Sequence, residues 1–342
     1  MANSPVEPMS RPFSIAALAK KAGLDGFILG LLVMVFLAWL WPEGGENNSP
    51  LKLDEISSYG VSLIFFFYGL RLNLENLKAG LSKWRVHLTV HSTTFILFPV
   101  LVLVARYFLE NDENHLLWLG IFFLASLPST VSSSVVMVSI AGGNMPAAIF
   151  NASISSFIGI FITPLWMSLV LTTSTGDFDM RSIVFKLILQ VLVPVVAGIL
   201  LHGRLGGFAE KHRKTLRYFD QSIILLIVYT SFCESFARKM FSGYTFLNIL
   251  ILCLCMIGLF FLVYMIVRAI TRILHFNRED TITALFCGSK KSLVHGTVMS
   301  KVLFPASDIV GIVLLPLMLY HALQLVAASI IAQAMARNQQ TW

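Results

Sequence analysis

The chain has 342 residues, of which 56% are hydrophobic and only 13% are charged. A soluble domain carries roughly a quarter charged residues, so this composition excludes an ordinary soluble protein and indicates a polytopic helical membrane protein. Continuous apolar runs exclude the alternating strands of a β-barrel. The net charge of +7 is typical of basic cytoplasmic loops and does not indicate nucleic-acid binding.

The apolar pattern predicts ten transmembrane helices, called spans 1 to 10. The first 25 residues lack the charged-then-apolar order of a cleavable signal, so span 1 is expected in the mature protein. The predicted spans are 26–41, 56–72, 86–109, 116–141, 146–172, 183–203, 218–237, 245–268, 280–301 and 306–335.

The distribution of basic residues predicts the orientation of the spans. Most of the 25 Lys and Arg residues fall in the two tails and in the loops after spans 2, 6 and 8. By the positive-inside rule, residues 1–25 and 336–342 are expected to be cytoplasmic tails of an inner-membrane protein. A polar linker, 173–182, separates five spans from five, and halves with an odd number of spans must be inverted. The span count therefore allows an inverted repeat of 26–172 and 183–335, in which a break in span 4 would be matched by one in span 9.

Span 4 is irregular in its middle, where Pro128 removes a backbone donor and disfavours helix at Leu127. Irregular backbone at bilayer depth must be buried in protein or line a wet cavity, and broken helices often form the site of a secondary transporter. Close packing of helices by small residues is the alternative explanation for the serines of span 5. Hydroxyl and amide groups here are candidate ligands: Ser129, Thr130, Ser132, Ser133, Ser134, Asn144, Asn151, Ser153, Ser155 and Ser156.

Span 9 contains a second irregular stretch, whose candidate site residues are Gly288, Ser289, Lys290, Lys291 and His295. A lysine at the centre of a membrane helix costs roughly 2.5–3.5 kcal/mol. Adjacent positions lie about 100° apart on a helix, so one lysine is expected to pair with a carboxylate or a helix C-terminus while the other meets substrate. The alternative is that both lysines reach an interface because the span edges are misplaced.

These features resemble the bile acid:sodium symporter superfamily, in its SBF-like CPA transporter branch. The resemblance covers nearly the whole chain and is most specific over 126–164 and 284–305, where Pro-x-x-x-x-Ser-Ser and Gly-x-Lys occur. It implies two inverted five-helix repeats, with spans 1, 2, 6 and 7 forming a panel. The other spans form a core in which broken spans 4 and 9 cross.

The resemblance also implies a sodium site at Ser133 and Ser134, with Asn151 or Ser153 opposite. The family's second sodium site uses a Glu and a Gln, but this chain has Phe286 and Lys290 there, so we expect that site to be lost. Two mechanisms stay open at this point. In one, Lys290 is a fixed charge and transport is driven by one sodium ion or by none. In the other, Lys290 loses and gains a proton during the cycle.

The sequence predicts a secondary active transporter, a symporter or exchanger, of a small organic anion coupled to sodium or protons. Membrane lipid is an expected partner, and no cofactor other than Na⁺ is expected. A non-transporting regulator or scaffold is the alternative from another class. An intramembrane Ser–Lys hydrolase is disfavoured because no Gly-x-Ser-x-Gly pattern occurs.

Overall fold

The computed structural model describes residues 26–46, 49–71, 83–111, 114–174, 185, 188–304 and 308–337. Within these ranges the regular secondary structure is helical and no strand occurs. The all-helical fold that the composition predicts is therefore confirmed.

The helices are numbered in chain order, and one turn of 3₁₀ helix, Pro42–Gly44, follows the first of them. They are α1 (Gly26–Leu40), α2 (Leu53–Arg71), α3 (Trp84–Leu109), α4 (His115–Ser126), α5 (Ser132–Ala141), α6 (Met145–Ser174), α7 (Ile188–Lys211), α8 (Arg213–Ala237), α9 (Phe246–Ile273), α10 (Arg278–Gly288), α11 (Leu293–Leu303) and α12 (Val310–Arg337).

Five of these helices, α3, α6, α7, α9 and α12, are long and apolar enough to cross a membrane. Helices α1, α4 and α5 are apolar but shorter. Large apolar side chains are exposed on several helices, for example Leu200 at 78% and Phe246 at 81%. Such exposure is expected on a surface that faces lipid. The chain is a multi-pass membrane protein.

Two helices contain one turn of π-helix just before a proline. In α3 the turn spans Thr93–Leu97 and precedes Pro99. In α7 it spans Ile188–Leu192 and precedes Pro194. Proline has no N–H to donate and its ring crowds the preceding turn, so a widened turn accommodates it. The consequence in α3 is a set of backbone carbonyls that other parts of the chain must satisfy.

Helix bounds mostly lie within a few residues of the predicted spans, but one predicted loop is wrong. Residues 204–217 were expected to connect spans 6 and 7 as a loop, whereas α7 continues to Lys211 and α8 begins at Arg213. Hydropathy marks only the apolar part of a helix, so it misses charged turns that continue beyond that part.

Packing divides the helices into two groups. Helices α1, α2, α7 and α8 pack on one another and are called the four-helix group. Within it, α2 and α7 touch at Gly69 and Gly198, where a Cβ on Gly198 would lie 2.2 Å from the carbonyl oxygen of Phe66. Only glycine permits this approach. Helices α3 to α6 and α9 to α12 form the crossover group.

The two groups meet where α8 packs against α11 and α12. Helix α2 also reaches α11, through an ion pair between Asp54 and Lys301 and through the stacked rings of Tyr68 and His295, 4.9 Å apart. In the described part of the chain, Asp54–Lys301 is the one ion pair that joins the groups.

Candidate functional site

Two pairs of consecutive helices in the crossover group, α4 with α5 and α10 with α11, are each separated by a short non-helical break. The α4–α5 break (residues 127–131) begins at Leu127, whose φ of −72° and ψ of 154° are extended, because the following Pro128 disfavours the helical conformation. The α10–α11 break (residues 289–292) follows Gly288 and ends at Ser292. The side chain of Ser292 accepts a hydrogen bond from the amide of His295 and so caps α11.

The two breaks contact each other through the backbone and through serine hydroxyls. The amide of Ser292 donates to the carbonyl of Pro128 at 2.9 Å. The Ser129 hydroxyl donates to the carbonyl of Cys287 at 2.6 Å, near the end of α10. These bonds place the two breaks against each other inside the protein.

The buried C-terminus of α4 is satisfied by side chains from elsewhere in the chain. A helix end leaves carbonyls without intrahelical donors, and leaving them unpaired inside the protein would be costly. The Lys291 ammonium donates to the carbonyls of Ala125 at 2.6 Å and Leu127 at 2.7 Å. The Thr163 hydroxyl donates to the carbonyl of Ser126 at 2.8 Å. Lys291 therefore supplies positive charge at the negative end of the α4 dipole.

The third hydrogen bond of Lys291 depends on the π turn of α3. The amide of Phe98 bonds to the carbonyl of Thr93, five residues back, and Pro99 has no amide hydrogen. The carbonyl of Thr94 is thus left without a helical donor, and Lys291 Nζ lies 2.7 Å from it. The same ammonium lies 4.3 Å from the centre of the Phe98 ring, at a distance that allows a cation–π contact.

The backbone of Lys291 is fixed as well. The side-chain oxygen of Gln324 in α12 accepts from the Lys291 amide at 2.9 Å, and its nitrogen donates to the Lys291 carbonyl at 2.8 Å. With all three ammonium hydrogens directed at carbonyls, Lys291 joins α3, α4 and α12. The geometry is that of a structural residue.

Lys290 has a different environment, although it is also completely buried. Its ammonium donates to the Ser133 hydroxyl at 2.8 Å, and Ser133 is its one acceptor among the described residues. Across those residues no carboxylate forms an ion pair with either lysine. Lys290 is therefore a buried amino group that has one acceptor there and further capacity to donate hydrogen bonds.

A chain of hydroxyl groups continues from Lys290 across the breaks. Ser133 donates to Thr130 Oγ1 at 2.9 Å, and Thr130 and Ser134 are 2.7 Å apart. Ser134 donates to the carbonyl of Phe286 at 3.1 Å, which assigns Thr130 as the donor to Ser134. The ammonium thus contacts this chain of hydroxyl groups at one point, the Ser133 oxygen in the first turn of α5. The N-terminus of that helix adds positive potential beside it.

Ser132 and Ser289 lie at the edges of this arrangement. Ser132 is exposed in the first turn of α5. Ser289 is buried, its hydroxyl donates to the carbonyl of Leu285 at 2.7 Å, and its own carbonyl accepts from the Tyr320 hydroxyl at 2.7 Å. Ser289 is therefore held as part of the break.

His295 lies where α11 meets the four-helix group. Its side chain is 1% exposed, Nδ1 is 3.1 Å from the Ser292 hydroxyl, and the ring stacks on Tyr68 of α2. Among the described residues its Nε2 is buried without a hydrogen-bond partner. This nitrogen offers a polar contact on the boundary between the two helix groups.

Three predicted site residues have other partners. The side chain of Asn144 caps α6 and donates to Asp280 at 2.8 Å. Asn151 pairs with His87 at 3.2 Å and with the carbonyl of Ala147. The Ser153 hydroxyl bonds to the carbonyl of Ile149 in its own helix.

The four oxygens expected to bind sodium are thus not gathered by direct hydrogen bonds. It is Ser155, one turn beyond Asn151, that accepts from the Ser129 amide at 2.9 Å. In the ranges that the structure describes, no group of three or more His, Cys, Asp or Glu side chains could hold a metal ion.

Several residues that build the site were not among the sequence candidates. Gln324 is an amide near the middle of an apolar span, which is itself a signal. Pro99 lies mid-span and could have indicated freed carbonyls in the preceding turn. Trp166 Nε1 donates to one of these, that of Phe95, at 2.8 Å. Thr163 carried no signal, since threonines commonly bond within their own helix.

Comparison with known proteins extends these findings. The family model described as the SBF-like CPA transporter family matches residues 25–337. An uncharacterized Pseudomonas aeruginosa protein, PA2026, is 39% identical over 92% of this chain and 94% of its own length. Escherichia coli YfeH, which carries a provisional symporter name, is 35% identical over 93% and 94%. Sodium/bile acid cotransporter 7-B of Xenopus laevis is 31% identical over 90% of both chains.

Proposed function

Because the chain belongs to the SBF-like CPA transporter family, we propose that it is a secondary active transporter of a small organic anion, coupled to sodium or to protons. The family and the names of its relatives indicate a transporter and not an enzyme. The relatives named sodium/bile acid cotransporters make bile acids the first anions to test and sodium the first coupling ion.

The observation that carries this proposal is the environment of Lys290. A completely buried ammonium with one serine acceptor is costly unless a further partner offsets its desolvation. An anion at the start of α5 would meet the ammonium and the positive end of that helix together. The same arrangement disfavours a cationic substrate.

The proposed architecture follows the resemblance. Counting α4–α5 and α10–α11 as one crossing each gives ten crossings of the inner membrane, with both termini on its cytoplasmic side. The breaks then occupy crossings 4 and 9, which are equivalent positions in two inverted repeats of five. The four-helix group corresponds to the panel and the crossover group to the core.

We propose that these two groups move against each other to expose the site alternately to the two sides of the membrane. Support comes from the boundary between them, which α2 shares with α11 through the Asp54–Lys301 ion pair and the Tyr68–His295 stack. These contacts are localised, so they can break without disturbing the core of either group. During the cycle, the His295 ring would leave its stack on Tyr68 and contact the substrate instead.

The test is uptake by the purified protein in liposomes, with a bile acid and a set of smaller carboxylates and sulfate esters as substrates. A sodium gradient and a proton gradient are imposed separately, because coupling to each ion predicts stimulation by its own gradient alone. We expect the native protein to take up an anion and the Lys290→Gln variant to show no uptake of it. Unchanged uptake in this variant, or no uptake of any anion by the native protein, would contradict the proposal and favour a regulator or scaffold.

A further inference from the structure

Three arginines converge around a cavity far along the chain from the α4–α5 break. Arg268 and Arg272 lie one turn apart near the end of α9, and Arg278 begins α10. The cavity they line has a volume of about 210 Å³ and lies where α9, α10 and the end of α12 meet. Three guanidinium groups in a concave site of this size form a concentrated positive surface.

These arginines are not neutralised within the described chain. No carboxylate there forms an ion pair with any of the three. The nearby carboxyl of Asp280 is taken by Lys83 at 2.9 Å and by Asn144. Glu279 is exposed in the same helical turn and does not line the cavity. The cavity therefore keeps its positive charge.

Hydrogen bonds hold the walls of the cavity in place. Arg278 donates to the carbonyl of Met335, near the end of α12, at 3.1 Å. Arg85 donates to the carbonyl of Leu274 at 3.1 Å and stacks over Phe276, which fixes the turn between α9 and α10. Of the three arginines, Arg278 is thus held by a hydrogen bond, and the turn that joins the other wall of the cavity to α10 is fixed.

Apolar surface adjoins the arginines both inside and outside the cavity. Thr281, Ile282, Leu285 and Met335 complete the lining of the cavity. On the outside of α9, Phe261 and Met265 are exposed at 44% and 58%, and their helical spacing leads directly to Arg268 and Arg272. A lipid chain lying along this face would bring its headgroup to the arginines.

We infer that this cavity binds the phosphate headgroup of an anionic phospholipid, whose acyl chain lies along the outer face of α9. Basic pockets between membrane helices attract such headgroups, and each arginine strengthens binding by about fivefold. The continuous apolar track favours a lipid over a free phosphate compound, which would use only the arginines. This site is separate from the crossover of the breaks and does not depend on the proposed transport activity.

The test compares lipids of identical acyl chains on the full-length purified protein. Native mass spectrometry counts bound phosphatidylglycerol and phosphatidylcholine, and thermal midpoints measure stabilisation, since a ligand of the folded state raises the midpoint. Glycerol phosphate is the soluble anion control. The variant is Arg272→Gln with Arg278→Gln, and the matched control is Lys214→Gln with Arg217→Gln, which removes the same charge from the start of α8.

The expected result is retention of phosphatidylglycerol over phosphatidylcholine by the native protein and by the α8 control, with binding weakened at least tenfold in the Arg272/Arg278 variant. Equal retention of the two lipids by the native protein would overturn the inference, whatever the variants do. An equal loss of phosphatidylglycerol binding in the two double variants would also overturn it, because the lipid would then be attracted by net charge alone. If glycerol phosphate stabilised the protein as strongly as the lipid does, the inference would be overturned, because the ligand would be a soluble anion and not a lipid.

Discussion

Lys290 and Lys291 are neighbours at one break, and both are completely buried, yet their surroundings differ. Lys291 directs its ammonium at three carbonyls, from α3, the end of α4 and the α4–α5 break. Lys290 donates to a single serine hydroxyl. Burial is therefore the same for both lysines, and the number of hydrogen-bond acceptors around each ammonium is what differs. The two residues form a natural pair for substitution.

The largest expected effect is on stability, in Lys291→Met. This change removes the donor of three buried carbonyls, each costing about 1–3 kcal/mol when left unpaired, so the free energy of unfolding should fall by about 3 kcal/mol or more. Thermal unfolding of the purified protein in detergent measures the change. Equal midpoints for Lys291→Met and Lys290→Met would show that the two lysines are not different in the way described.

The second effect is on transport, in Lys290→Met. Replacing a poorly paired buried charge by an apolar side chain of similar length is often neutral or stabilising, so the midpoint should hold or rise. Anion uptake should fall at least tenfold, because the substrate loses its cation. Uptake kinetics and unfolding are measured on the same preparation. A fall in stability with uptake preserved would reverse the assigned roles.

Thr163→Val tests the second side chain that satisfies carbonyls at the buried C-terminus of α4. The substitution leaves the Ser126 carbonyl without its donor, and we expect a loss of about 1–2 kcal/mol in unfolding free energy. Thr93→Val is the matched control, since its hydroxyl bonds to the Thr89 carbonyl, which also accepts the Thr93 amide. If both variants lose the same stability, capping of the α4 terminus is not a specific contribution.

The smallest expected effect concerns the hydroxyl that positions Lys290. Ser133→Ala removes the acceptor of its ammonium, and we expect anion uptake to weaken about threefold, about 0.6 kcal/mol. Ser153→Ala should leave uptake unchanged, because that hydroxyl bonds to its own helix. A larger defect in Ser153→Ala, restricted to sodium-driven uptake, would instead support the sodium site expected from the resemblance.

Local chemistry made both breaks visible in the sequence. Pro128 marks the α4–α5 break, and Gly288 with the lysine pair marks the α10–α11 break, because proline and buried charge are incompatible with a plain membrane helix. The sequence could not reveal which lysine meets which partner. That depends on a carbonyl at Thr94 freed by a π turn, and on Gln324 from a distant helix.

The polar candidates of span 5 show a similar limit. Asn151 was an expected ion ligand, yet it pairs with His87 on α3, while Ser155 reaches the break. Both residues are candidates from the sequence and share one face of α6, one turn apart, so the sequence does not decide which of them lies at the level of the break. Helical periodicity specifies the face and not the depth.

The most direct test of the division between the two lysines is thermal stabilisation by organic anions, measured on the native protein, Lys290→Gln and Lys291→Gln. The account predicts that an anion raises the midpoint of the native protein and does not raise that of Lys290→Gln, whose midpoint without ligand is near native. Lys291→Gln should unfold at a clearly lower temperature. Undiminished stabilisation of Lys290→Gln by the same anion, or a native midpoint for Lys291→Gln, would contradict it.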